Sequence, residues 1–267
     1  MKHIFFITAI ILLLASCSAE FMPHERIRPS GIIVTESRDV PQNINRIGVS
    51  GIIDLNIFLG DEERIEILAD DNVMPHIATR QTSGNGLEIF TEGVSFIGNA
   101  PQITVNITLR DLNELHLSNA STTRLYLEQA LVSDRLDIRA SGATSIYFQT
   151  DMPIEVNRLA VRLSGSSSFS GENIVATTIT ADLSGSSQLD LDGEVRQFNL
   201  TSAGSSRART FDLISTHLYA TLSGSSTAQV TAVETLTARL SGSSRLIYDG
   251  NPIVDSQTSG ASSLIRR

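Results

Sequence analysis

The segment Arg162–Phe169 reads RLSGSSSF, and nearly the same letters return as LSGSS from Leu183, TSAGSS from Thr201, and LSGSS from Leu222 and again from Leu240. A nucleophile or a ligand set needs writing once. A structural unit that stacks on copies of itself needs writing many times. Aligned on the central glycine, the copies fall at Gly142, Gly165, Gly185, Gly204, Gly224, Gly242 and Gly260, in steps of 23, 20, 19, 20, 18 and 18 residues. Asn119, in LSNAS, lies a further 23 residues upstream and reads as a degenerate first copy.

The columns of this alignment alternate. Six residues before the glycine stand Leu136, Leu159, Ile179, Phe198, Leu218, Leu236 and Val254, and two before it Ala140, Leu163, Leu183, Ser202, Leu222, Leu240 and Thr258. Between the apolar columns lie polar residues such as Asp137, Arg139, Arg162 and Asp182. Period two means a strand with one buried face. A second apolar stretch follows each corner, with Ile146, Phe169, Leu189, Ala208, Ala228, Leu246 and Leu264 four residues past the glycine. Each copy is therefore strand, Ser-Gly-Ser-Ser corner, strand, turn, and none carries a helical pattern. The expectation is an all-β fold, a parallel β-helix with coils of about 20 residues; strands ~4.8 Å apart give eight coils a length of roughly 38 Å. An antiparallel sandwich or barrel is the competing architecture, but hairpins do not require one residue type at one corner in every coil.

At the corner, glycine removes the Cβ where inward space is scarce. The flanking serines can hydrogen-bond the backbone at the bend or one another along the stack. That reading needs no catalysis. A nucleophile elbow is G-x-S-x-G between strand and helix, and the LSGSS copies do not fit it.

The N-terminal third differs. RIGVSGIIDLNIFLG (Arg46–Gly60) alternates and holds a VSG like the later corners, and RIEILA (Arg64–Ala69) is another strand. Asp70–Ile77 reads as a turn or a single helical turn interrupted by Pro75. Ala78–Gln81 and Leu87–Phe90 flank SGNG, a hairpin signal that predicts antiparallel pairing. This part is expected to cap the first coil, because an open edge pairs with other chains. At the other end Arg266 and Arg267 are expected to blunt the last edge.

Residues 1–16 read as a signal segment: Lys2 supplies the positive start, and Ile4–Leu14 is an apolar run too short to span a bilayer. Leu14-Ala15-Ser16-Cys17 resembles a bacterial lipobox, which implies that Cys17, the only cysteine, becomes the lipidated first residue and attaches the protein to a membrane. By the same resemblance Ser18, rather than Asp, in the second mature place implies the outer membrane. Residues 17–45, with Pro23, Pro29 and Pro41, read as a tether with a short strand at Ile32–Thr35. About 28 extended residues reach roughly 90 Å. The domain proper is read as 46–267.

Taken together, GVSGIIDLNIFLGDEERIEILADDN (Gly48–Asn72), ITVNITLRDLNELHLSNAS (Ile103–Ser121), the LSGSS copies, and LIYDGNP followed by TSGAS (Thr258–Ser262) resemble the putative auto-transporter adhesin, head GIN domain family, over about residues 46–265. The family commonly writes the corner Ser-Gly-Ser-Gly; here the last glycine is serine. The resemblance implies a right-handed β-helix and an adhesive or envelope role, and it transfers no catalytic residue.

Searching the sequence for chemistry gives little. The net charge of −9 argues against a nucleic-acid partner. Asp182, Asp190, Asp192 and Glu194 form the densest acidic patch, but LDLDGE lacks the ligand spacing of a calcium loop. The histidines show no ligand spacing, and no phosphate-cradling loop occurs, so no metal or cofactor is expected. Tyr126, Tyr147, Tyr219 and Tyr248 could stack on sugars if exposed. The reading is a non-enzymatic, lipid-anchored envelope protein that binds a polysaccharide or protein partner through a Ser/Thr-rich face. The alternatives are a polysaccharide-active enzyme on the same scaffold and a structural protein that self-associates through its coil ends.

Overall fold

A computed structural model describes residues 25–267. The signal segment and Cys17 lie outside the described residues. Within them the chain is strand and tight turn, with a 3-10 turn at Met74–His76 where Pro75 had interrupted the pattern.

From Glu114 onward the chain winds as a parallel β-solenoid of about eight turns. Each turn contributes a strand to one sheet, bends at the glycine corner, and contributes a second strand to a facing sheet. The columns read from the sequence are the registers of these sheets. Leu136, Leu159, Ile179, Phe198, Leu218, Leu236 and Val254 lie opposite one another in successive rungs of the first sheet. Ile146, Phe169, Leu189, Ala208, Ala228, Leu246 and Leu264 do the same in the second. All but the last member of each column are buried, and burying a side chain of Leu or Phe size contributes about 1.5–3 kcal/mol.

The glycine corner is rigid and the opposite bend is not. All seven corner glycines have φ between +71° and +84°, and Asn119 joins them at +71°. The amide after each glycine donates to the carbonyl of the glycine one rung below, at 2.7 Å for Ser166 to Gly142 and 2.8 Å for Ser205 to Gly185. On the other side the register slips between Gly171 and Ile174, between Asp190 and Gly193, and between Thr210 and Ile214. The unequal repeat steps are absorbed there, and the corner is left unbroken.

The solenoid begins earlier than the repeat. Arg46–Gly51 and Asp54–Leu59 form a rung of their own, parallel to Glu114–Asn119 and Thr122–Tyr126, with Gly51 opposite Asn119. Gly86–Thr91 and Ile103–Leu109 lie parallel beneath it. Only then does the pairing turn antiparallel: Ile77–Thr82 on Gly86–Thr91, as SGNG predicted, and Arg64–Asp70 on Ile103–Leu109.

The tether reading needs correction. From Glu25 on, the stretch is part of the fold: Glu25–Ile27 pairs with Val94–Phe96, and Ile33–Arg38 pairs antiparallel with Arg64–Asp70. Two causes hold it. Arg64–Asp70 is apolar on one face and needs its edge covered. Asp70 is buried, and its carboxylate accepts from Gly31 N at 2.7 Å and Gln102 N at 3.1 Å, pinning three segments together.

At the far end the last rung is exposed. Ile253 is 80% exposed, and two inward positions become polar, with Ser256 and Thr258 following Ala238 and Leu240. Arg267 lies over the ring of Phe211, 5.0 Å from its centre.

Candidate functional site

A groove of about 930 Å³ runs along the outer face of the first sheet, from Arg80 and Phe90 on the antiparallel cap to Thr201 in the solenoid. Its floor is one outward column in register: Glu88, Gly48, His116, Arg139, Arg162, Asp182, Thr201. Gly48 makes the notch between cap and coils; a Cβ there would stand 3.3 Å from the Glu88 side chain. The guanidinium of Arg80 covers the ring of Phe90 at 4.7 Å and forms the wall at the cap end.

The electrostatic centre is Asp137, one column over and wholly covered. Its carboxylate accepts from Arg135 at 2.6 Å and Arg139 at 3.1 Å on one oxygen and from Arg162 at 3.3 Å on the other. Burial pushes the Asp137 carboxyl up, but the hydrogen bonds from Arg135 and Arg139 and the charges of Arg139 and Arg162 outweigh it and hold it below the ordinary range. Three guanidinium groups share one carboxylate, so positive charge is left over. Arg139 and Arg162 are about half exposed and both line the groove. Asp182 pairs with Arg162 at 3.8 Å and offsets part of that charge. Burial and the charge of Arg139 lower the pKa of His116 against the pull of Glu114 and Asp137, which keeps the ring neutral at pH 7. His116 Nε2 and Arg139 Nε are enclosed and make no hydrogen bond among the described residues, leaving polar capacity unspent beneath the floor.

At the Gly165, Gly185 and Gly224 corners the three serines divide their work. The last is buried and donates to the carbonyl of the first, at 2.8 Å from Ser167 to Ser164 and 3.0 Å from Ser187 to Ser184. The first donates weakly to the rung below, as Ser184 Oγ does to Leu163 O at 3.4 Å. The middle one, Ser166, Ser186, Ser205, Ser225 or Ser243, is exposed in every case, and of the first ones Ser184 is exposed as well. The Ser/Thr-rich face expected from the sequence thus offers one free row of corner hydroxyls, joined on the first sheet by Thr180, Thr201, Thr221 and Thr237.

The acidic patch divides. Asp182 and Glu194 belong to the first sheet and Asp190 and Asp192 to the stretch that ends the second-sheet strand. Asp190 accepts from Arg209 at 2.8 Å, and Asp192 accepts from Asn173 N at 2.6 Å. Among the described residues no group of three His, Cys, Asp or Glu could hold a metal. Tyr126 and Tyr219 are exposed, whereas Tyr147 and Tyr248 are half-buried. The sequence reading noted Arg139 and Arg162 only as outward polar residues. The signal for the groove was the density of arginines on that strand face, with Arg135, Arg139, Arg158 and Arg162 in two consecutive rungs.

Known structures share this architecture. The crystal structure of a putative lipid binding protein from Parabacteroides distasonis ATCC 8503 superposes with a TM-score of 0.82 at 19% identity, covering 91% of this chain and 100% of that one. Putative adhesins from Parabacteroides distasonis ATCC 8503 and Parabacteroides merdae ATCC 43184 give 0.79 and 0.78 at 20% and 19% identity, each over 91% of this chain and over 100% and 99% of theirs. At these identities the likeness is one of fold. No curated protein matches. Residues 43–252 match the model of the putative auto-transporter adhesin, head GIN domain, and the chain belongs to that family.

Proposed function

We propose that this protein is a non-enzymatic, lipid-anchored component of the outer membrane that binds an extended acidic polysaccharide along the groove of its first sheet. The carrying observation is the gathering of the Arg135, Arg139 and Arg162 guanidinium groups around the carboxylate of Asp137, with Asp182 as the further partner of Arg162, in an open channel parallel to the stacking axis. Arginine presents a fork that matches a carboxylate with two hydrogen bonds, and a linear groove suits a polymer that makes many weak contacts. The family's adhesin-like character and the adhesin and lipid-binding descriptions of its structural neighbours favour binding over chemistry. So does Asp137, whose depressed pKa is the opposite of what a general acid needs. Self-association through the coil ends is opposed at the last rung by Ser256 and Thr258, which replace apolar residues beside Val254 and Leu264.

The test uses the chain from residue 18 on, which keeps every described residue. Immobilised polygalacturonate and alginate should retain it, and neutral dextran should not. Arg139→Ala with Arg162→Ala should weaken retention at least about tenfold, the scale of one charge-assisted contact, and raised salt should do the same. Retention indifferent to both arginines, or none on any acidic polymer, overturns the reading. Attachment is checked separately: fatty-acid labelling in a bacterial host should be lost in Cys17→Ser.

A further inference from the structure

The second sheet carries an aromatic pair that the groove does not use. Phe58 and Tyr126 are register partners on neighbouring rungs, and their rings stack with centres 5.0 Å apart and planes 13° apart. Both face solvent, at 36% and 44% exposure. The stack contributes to the strand pairing and leaves much of both rings open to water.

The stack separates two recesses. One, of about 440 Å³, is lined by Tyr126 with Arg124, Tyr147 and Gln149 from the same rung and the next; the other, of about 720 Å³, is lined by Phe58 with residues of the cap strands. Neither recess is lined by both rings; each ring stacks on its partner and borders its own recess. On the Tyr126 side the polar groups are unspent. The side chains of Arg124 and Gln149 make no hydrogen bond among the described residues, and the Arg124 guanidinium leans over the Tyr147 ring at 5.9 Å. On the Phe58 side the amide of Asn106 is already engaged with Asn56 and Glu66.

We propose that the free face of Tyr126 is a carbohydrate-stacking site that takes one neutral pyranose ring, with Phe58 as the positioning residue behind it. A pyranose has an apolar C–H face and a rim of hydroxyls. The recess answers both, with an aromatic plane for the face and a guanidinium and an amide for the rim. A ring seated there would extend the Phe58–Tyr126 stack by one rung. The site lies on the sheet opposite the groove and does not depend on Arg139 or Arg162.

Saturation-transfer NMR on the chain from residue 18, with methyl glucoside, galactoside, mannoside, fucoside and N-acetylglucosaminide each at about 10 mM, suits the millimolar affinity of a single ring. At least one pyranoside should show transfer concentrated on the ring protons of one face. Tyr126→Phe should keep it, Tyr126→Ala should reduce it to background, and Phe58→Ala should weaken it severalfold, with each variant's thermal unfolding followed to show that it folds. Arg139→Ala with Arg162→Ala should leave it unchanged, which separates this site from the groove. No transfer to any of the five, or equal transfer from Tyr126→Ala and the parent, overturns the proposal.

Discussion

Gly185 stands directly over Gly165, so close that a Cβ on Gly185 would lie 2.6 Å from the Gly165 carbonyl oxygen. That oxygen already accepts the amide of Ser186 at 2.7 Å. The corner glycine is therefore fixed twice, by its left-handed φ of +73° and by the backbone beneath it. Gly185→Ala should cost at least about 3 kcal/mol, because strain of ~1–2 kcal/mol at positive φ is joined by a contact that only backbone movement relieves. Gly93→Ala separates the two causes, since Gly93 has φ +70° with nothing within 4 Å of the added carbon. It should cost only the conformational part, about 1 kcal/mol. Urea unfolding of both variants checks the contrast; equal losses would mean that stacking closeness contributes nothing.

The buried hydroxyls predict opposite outcomes at equivalent places. Ser187 Oγ is buried and donates to Ser184 O at 3.0 Å. Thr144, two residues past its own corner glycine, and Thr123, in the inward column between Leu55 and Ile146, are buried with unpartnered hydroxyls. Ser187→Ala should lose about 1 kcal/mol with its hydrogen bond. Thr144→Val and Thr123→Val keep the shape and remove a polar atom without a partner, so each should be neutral or gain up to about 1 kcal/mol. Thermal melts read both signs.

What was legible in the sequence was whatever repeats. The glycine column, the two apolar columns and the polar column that becomes the groove floor could be read because stacking forces one residue type into one place. The features that were not legible occur once. Asp137 sits in an outward column, yet it is covered, because Arg135, Arg139 and Arg162 close over it from two rungs. No spacing rule shows that. Of the edge strand Ile33–Arg38 the sequence showed a short strand at Ile32–Thr35 but not its pairing, which is set by the edge of Arg64–Asp70 and by the buried carboxylate of Asp70 rather than by its own pattern. The Phe58–Tyr126 pair joins residues 68 apart that meet only once the first rung is known to lie under the second.

Acid should destabilise the fold through two groups near the groove. His116 has a lowered pKa, so the unfolded chain binds its proton more readily, and stability falls as pH drops below about 6.5, the ordinary histidine value. Asp137 also has a lowered pKa; its contribution is present above about 3.8 and is lost as pH falls through the depressed folded value. Asp137→Asn should therefore flatten the lower part of the curve and leave the histidine part. At pH 7 it should cost about 1–3 kcal/mol, less than breaking a fully buried pair because its arginines are half exposed. Urea midpoints between pH 3 and pH 8 test this, and an unchanged acid limb in Asp137→Asn would remove Asp137 from the account.

The last rung makes the final prediction. Parallel edges at the end of a solenoid invite pairing with another chain, and the antiparallel strands Ile77–Thr82 and Ile33–Arg38 close that route at one end only. At the other end the protection is in the side chains. Ser256 and Thr258 occupy the inward positions that hold Ala238 and Leu240 one rung earlier, so hydroxyls interrupt the face that a stacked copy would have to cover, beside the apolar Val254 and Leu264. Covering those two hydroxyls without partners costs about 1–3 kcal/mol each, enough to keep copies apart. The parent chain from residue 18 should sediment as a monomer at about 100 μM, a concentration at which a weak association would register. Ser256→Ala with Thr258→Leu restores the apolar column and should shift the chain toward dimers joined at this end. A parent that already dimerises, or a double variant that stays monomeric, would show that the polar rung is not what keeps the end open.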